Sequence, residues 1–134
     1  MPSIAVFFVT NRNAIGDPIR DFGPDLGPAG GANLRFGYAE CDAISFEPGH
    51  IHVAPEKLHA DTAKSPNLIF GSREVFDLVR RKMDEKERDT LLFVHGFGHT
   101  FRGALKAAAE LKSFLGVGMN LFLASWPSEG KKVP

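Results

Sequence analysis

The sequence predicts an α/β domain, a mixed, mostly parallel sheet flanked by helices. Three observations carry that expectation. Continuous apolar runs of strand length stand at 3–10, "SIAVFFVT", at 90–94, "TLLFV", and at 120–126, "NLFLASW". Runs of this kind suit strands covered on both faces. Between the last two lies a strong amphipathic helix pattern, 99–115, "HTFRGALKAAAELKSFL". Strand, helix and strand joined by short connections make a βαβ unit, with parallel strands and a right-handed crossover.

The elements follow in order. Residues 3–10 open the sheet. Residues 11–33 hold Gly16, Gly23, Gly27, Gly30 and Gly31 with Pro18, Pro24 and Pro28, and this density of breakers predicts a flexible connection. "LRFGYAE" at 34–40 alternates Leu34, Phe36 and Tyr38 against Arg35, Gly37 and Ala39, the pattern of a half-buried strand. "HIHVA" at 50–54 is a second short strand, bounded by Pro48-Gly49 and Pro55. Ser72 is expected to cap a helix that ends near Arg88. Val75, Phe76, Val79 and Met83 form its apolar stripe. In the helix at 99–115 the stripe is Phe101, Ala104, Leu105, Ala108, Leu111 and Leu115. Lys106 and Glu110 sit one turn apart on its wet side, and Gly116 and Gly118 end it. Residues 120–126 form the final strand, closed by Pro127.

Composition narrows the function. A chain of 134 residues fits a single domain, 1–134. Sixteen basic and sixteen acidic residues cancel, so no field of one sign recruits nucleic acid or an anionic membrane. No apolar stretch approaches the ~20 residues of a transmembrane helix. The start has no basic residue before its apolar run and is expected to be a buried strand, not a signal peptide. Cys41 is the only cysteine. Together these point to a reducing, cytoplasmic setting.

The stretch that bears on chemistry is "LLFVHGFGHTF" at 91–101. A greasy strand runs into His95-Gly96-Phe97-Gly98, and a helix begins just after. In open α/β sheets ligands gather at the carboxyl ends of strands. A helix start offers unpaired N–H groups, and glycine lets backbone approach a ligand closely. The turn therefore suits a phosphate or an oxyanion. A dinucleotide fingerprint would draw its first glycines from Gly96 and Gly98, but its third position is Phe101, and no acid follows the strand at 120–126. An oxyanion loop of an acyl-transfer enzyme would use the Phe97 N–H. A plain tight turn, with His95 capping the sheet end, is the reading that the motif alone favours.

Context separates these readings. A strand ending in "HGF", then a helix, then a strand leading into "SWPSEG" resembles the front half of the α/β-hydrolase fold. More narrowly, the chain resembles a bacterial family of unknown function within that superfamily. The pieces are Phe7–Arg12, Phe70–Ser72, Phe93–Phe97, Thr100-Phe101, Ala104–Leu115 and Ser125–Ser128. The resemblance implies hydrolysis of a small-molecule ester or amide through an acyl-serine. It makes His95, Gly96, Phe97 and Gly98 the oxyanion-loop candidates. It also implies a nucleophile in a Gly-x-Ser-x-Gly elbow after the next strand, then an acid and a histidine. None of Ser3, Ser45, Ser65, Ser72, Ser113, Ser125 and Ser128 lies in that pattern. The reading is therefore a domain truncated at its C-terminus, without a triad and inactive alone. The alternatives are a non-catalytic interaction module and a nucleotide or small-molecule binding domain built on the Gly96/Gly98 turn.

Other constellations are weaker. Cys41 with a nearby histidine could make a thiol nucleophile, but a lone cysteine in a strand pattern is expected to be a small apolar filler. His50 and His52 would share one strand face, with His59 and Asp61 following, and such a pair can share a metal. Residues 53–55, Val-Ala-Pro, supply no acid there, so no metal and no cofactor is expected. His99 should be a polar first-turn residue, and Trp126 a buried strand-end aromatic. Finally, the hydrolase strand order 1-2-4-3-5 would leave strand 90–95 at the sheet edge. Its lack of charge and proline makes it the expected surface of self-association, broken by Phe93→Lys.

Overall fold

The computed structural model describes residues 3–27, 34–54, 71–85, 89–96, 98–116 and 119–127. Seven strands and two helices form there: β1 (Ser3–Thr10), β2 (Arg12–Ile15), β3 (Asp21–Leu26), β4 (Arg35–Asp42), β5 (Pro48–Val53), α1 (Gly71–Glu85), β6 (Asp89–Val94), α2 (Phe101–Leu115) and β7 (Met119–Ser125). Five strands make one sheet in the order β5-β4-β1-β7-β6, and β2 and β3 make a separate hairpin. β1 pairs with β7 and β7 with β6 in parallel, whereas β1–β4 and β4–β5 are antiparallel. The sheet is mixed, as the sequence indicates, with parallel and antiparallel pairs in equal number. Short connections between β4 and β5 permit the antiparallel half, and α2 supplies the crossover that a parallel pair requires.

The side chains of β1 explain its central place. Val6 and Phe8 point to one face and Phe7 to the other, and all three are buried. On the first face they meet Phe101, Ala104, Leu105, Ala108 and Ala109 of α2, with Leu121 and Leu123 of β7. Phe8, Phe22 and Phe101 form a cluster of edge-to-face rings with centroids 4.8–5.8 Å apart, a geometry that adds to area burial. On the second face Phe7 and Phe122 meet Val75 and Val79 of α1. The α2 stripe is as expected over its first two turns, but Leu115 is exposed. In α1 the stripe is narrower than its periodicity suggests, because Phe76 and Met83 are exposed.

Several expectations need correction. The stretch 11–33 is not only a connection: β2 and β3 pair within it, and Arg12 is among the most buried of the described residues. β4 is covered on both faces and not one, since Ala39 and Cys41 are fully buried and Phe36 and Tyr38 pack under α1. Residue 72 lies inside α1, which begins at Gly71, and the expected boundary near Arg88 lies outside the described residues. Lys106 does not depend on Glu110 alone, because its Nζ lies 2.7 Å from Glu47 Oε1. Trp126 is partly exposed. His59, Asp61 and Phe97 lie outside the described residues. Strand β6 ends the sheet, with β7 as its one neighbour among the described residues. No described helix is long and apolar enough to cross a membrane.

Candidate functional site

Register brings the carboxyl ends of three strands together. Thr10 stands opposite Ser125, and Val94 opposite Ala124. Each of these apolar strands ends in a polar residue, Thr10, Ser125 and, one step past β6, His95, and all three are buried. A fourth polar group enters from the side. Arg12, 1% exposed, opens β2, separated from the end of β1 by one residue, and lies at this end of the sheet.

Its guanidinium ties four chain segments together. Nε donates to Ser125 Oγ at 3.0 Å, Nη1 to the Gly23 carbonyl at 3.2 Å, and Nη2 to the His99 carbonyl at 2.7 Å. The Arg12 backbone N–H donates to Thr10 Oγ1 at 3.1 Å, and that hydroxyl donates to the Ser125 carbonyl at 2.9 Å. A buried guanidinium is tolerated only when its fixed fork of donors finds acceptors, and backbone carbonyls from β3 and from the turn before α2 supply them.

His95 completes the cluster. The backbone N–H of Trp126 donates to His95 Nε2 at 3.1 Å. An N–H can only donate, so Nε2 carries the lone pair and the ring proton sits on Nδ1, which donates to the Gly96 carbonyl at 2.8 Å. Ser125 Oγ lies 3.1 Å from the same Nε2. The hydroxyl therefore accepts from Arg12 and donates to His95. The indole of Trp126 stacks on the imidazole, 5.6 Å between centroids and 3° between planes, and its Nε1–H donates to the His95 carbonyl at 3.1 Å. Burial pushes the His95 pKa below its ordinary value, and the positive charge of Arg12 and the proximity of His99 act in the same direction. Neutral His95 with its proton on Nδ1 is the form this network holds.

A hydroxyl donating to imidazole Nε2 is the contact that activates a serine nucleophile. Here the contact is closed off from solvent. Ser125 is 3% exposed and His95 2%, and the Trp126 N–H shares the same lone pair. The imidazole Nδ1 meets a neutral carbonyl, not a carboxylate.

Above this layer the turn is open. Gly96 and Gly98 are exposed, and a Cβ at either would meet no atom within 4 Å. Gly98 has φ +85°, which favours glycine. Thr100 then caps α2, its side chain accepting from the Gly103 N–H at 2.9 Å. His99 precedes the cap and lies outside the helix, its ring 5.4 Å from that of His95.

The other sequence candidates lie elsewhere. Cys41 is fully buried in the core under α2, and burial, with a contribution from Glu47, pushes its thiol up to about 11. It fills space and is no nucleophile at neutral pH. His50 and His52 lie on β5. His52 stacks on Tyr38, 4.9 Å between centroids, and approaches Glu74 at 3.7 Å. Among the described residues no three histidine, cysteine, aspartate or glutamate side chains group as metal ligands do.

The chain carries a recognisable family signature in the part that builds this turn. Residues 73–134, from the first turn of α1 onward, match the family described as alpha/beta hydrolase of unknown function (DUF900). The match spans a little under half of the chain. No curated protein and no solved structure matches the chain. The matched stretch contributes β6, the turn, α2 and β7, whereas Thr10 and Arg12 come from outside it. Periodicity misses Arg12, because a buried charge follows no apolar pattern. The available signal was that three buried strands each end in a polar residue at one end of the sheet.

Proposed function

We propose that these residues form the oxyanion-binding side of an ester or amide hydrolase that works through an acyl-serine, with the Phe97 N–H as a donor to the developing oxyanion. The observation that supports this reading is the bond from His95 Nδ1 to the Gly96 carbonyl. That bond fixes the strand side of the turn, while the exposed Gly96 and Gly98 leave its outer side open to a ligand. An oxyanion site needs its donor fixed before the charge develops. The nucleophile, acid and general base of this chemistry are not among residues 1–134, since no Gly-x-Ser-x-Gly occurs. A lone cysteine suits the reducing cytoplasm. A fluorophosphonate probe should label none of the seven serines, and ester turnover should stay at the buffer rate. Stoichiometric labelling of Ser125 would overturn the reading and make the buried Ser125–His95 pair the catalytic one.

A second role rests on a different observation. Among the described residues β6 ends the sheet, and its Leu92 and Val94 are 63% and 58% exposed. Two copies pairing along β6 would continue the sheet through the edge that β7 does not cover. Light scattering at tens of micromolar should show a dimer (an order-of-magnitude choice for a modest interface). Leu92→Lys, at an exposed position, should return it to the monomer, as should Phe93→Lys. A monomer in the unsubstituted chain refutes the pairing.

A further inference from the structure

The end of the sheet carries a second concavity on its β4–β5 side. A groove of about 540 Å³ is lined by Asp17 and Arg20 from the hairpin turn, Arg35 at the head of β4, His50 and His52 of β5, and Arg102 from the first turn of α2. Arg35 stands opposite Thr10 in the sheet register, at the same end of the sheet as the His95 turn. Three guanidinium groups thus face one carboxylate.

The three arginines differ in what they already hold. Arg102 is engaged. Its Nε lies 3.5 Å from Asp21 Oδ2, and Nη1 donates to the Pro48 carbonyl at 3.2 Å. Arg20 and Arg35 make no side-chain hydrogen bond or ion pair with any described residue, and Nε of Arg35 is buried without an acceptor. A buried charged donor left unmet destabilises the fold, so such a group persists where something else meets it. A general surplus of base does not account for the pair, because acidic and basic residues balance over the whole chain.

The geometry points to a binding site for a small organic anion that carries a carboxylate or phosphate group, with Arg35 and Arg20 as its principal contacts. The planar guanidinium fork matches both groups through paired N–H donors. The volume suits a metabolite-sized molecule. A single concavity on a chain of zero net charge does not suit a nucleic-acid backbone, which calls for an extended basic stripe. The site stands on the groove alone and does not depend on the acyl-transfer reading.

Citrate and pyrophosphate, each titrated at low ionic strength into the ¹⁵N-labelled chain, test it. Sodium chloride at matched ionic strength serves as the control. At least one probe should saturate with a dissociation constant below about 1 mM, shifting amides at 17, 19, 20, 35–37, 49–53 and 102. Arg35→Gln and Arg20→Gln should each weaken binding by about tenfold or more. Arg80→Gln, at an exposed helix position beside Asp77, should change nothing. Arg20 is exposed, so its variant stays informative if Arg35→Gln fails to fold. Saturation by citrate alone assigns a carboxylate ligand, and by pyrophosphate alone a phosphate. No saturation by either, shifts centred elsewhere, or an equal loss in Arg80→Gln overturns the site. Binding that persists while the serine chemistry fails would leave this inference standing and remove only the other.

Discussion

Replacing Arg12 by Met tests whether the polar layer holds the sheet end together. The substitution keeps much of the buried stem and removes the guanidinium. Three acceptors then lose their donor, Ser125 Oγ, the Gly23 carbonyl and the His99 carbonyl. A hydrogen bond to a charged group contributes about 1.5–3 kcal/mol, and a buried acceptor left unmet costs about 1–3 kcal/mol. Against this stands the relief of no longer burying a charge, which offsets part of the loss. At a net of about 1–1.3 kcal/mol for each acceptor, the variant should lose roughly 3–4 kcal/mol. With a urea dependence of about 2 kcal/mol per molar, typical for a small domain, the unfolding midpoint should fall by about 1.5–2 M. Arg102→Gln is the comparison. Its contacts are exposed, and it should cost under about 1 kcal/mol. Urea titrations followed by far-ultraviolet circular dichroism measure both. A midpoint shift for Arg12→Met below about 0.5 M, or one equal to that of Arg102→Gln, would refute the reasoning, because the buried network would then be energetically idle.

Two further outcomes follow from the titratable groups. His95 has its pKa lowered from 6.5 in the folded chain, so the unfolded chain takes up the proton more readily. Stability should therefore rise with pH across the window from that depressed value to 6.5, and fall as the solution is acidified through it. The dependence should shrink in His95→Gln, and a ring titration by NMR with a midpoint above 6.5 would contradict it. Cys41, its thiol pushed up to about 11, should resist iodoacetamide in the native chain at neutral pH and react at once in urea. Native alkylation as fast as that of a free thiol would contradict its burial.

How far the fold was legible depends on which force shapes each piece. β1, β7 and α2 follow from the sequence because burial of apolar surface decides them, and it leaves a periodic trace. The hairpin of β2 and β3 leaves no such trace. It is held by polar contacts, the Gly27 N–H to the Asn11 carbonyl at 2.8 Å and the Asp25 N–H to Asn13 Oδ1 at 3.0 Å, and by the Arg12 fork reaching Gly23. Its glycines read as breakers, yet they serve close packing. At Gly37 in β4 the same ambiguity arises, since a Cβ there would fall on the His52 carbonyl oxygen and lie 2.6 Å from the Phe8 ring. The turn at 95–98 was found from its glycines and its place after a strand. Its support was not, because Thr10, Arg12 and Ser125 are far apart in sequence and meet only through strand register.

That register has a consequence for synthesis. β1 is sandwiched between β4 and β7, and the bond from Thr10 to Ser125 spans 115 residues. A ribosome adds about 5–20 residues per second, so β1 emerges on the order of ten seconds before the strand that closes its second side. During that interval Val6, Phe7, Phe8 and Val9 form an uncharged run rich in strand-forming residues beside an open backbone edge, the composition that seeds misassembly. β4 and β5 are made sooner and shield the other side. The nascent chain is thus a half-built sheet with one sticky flank until β7 arrives.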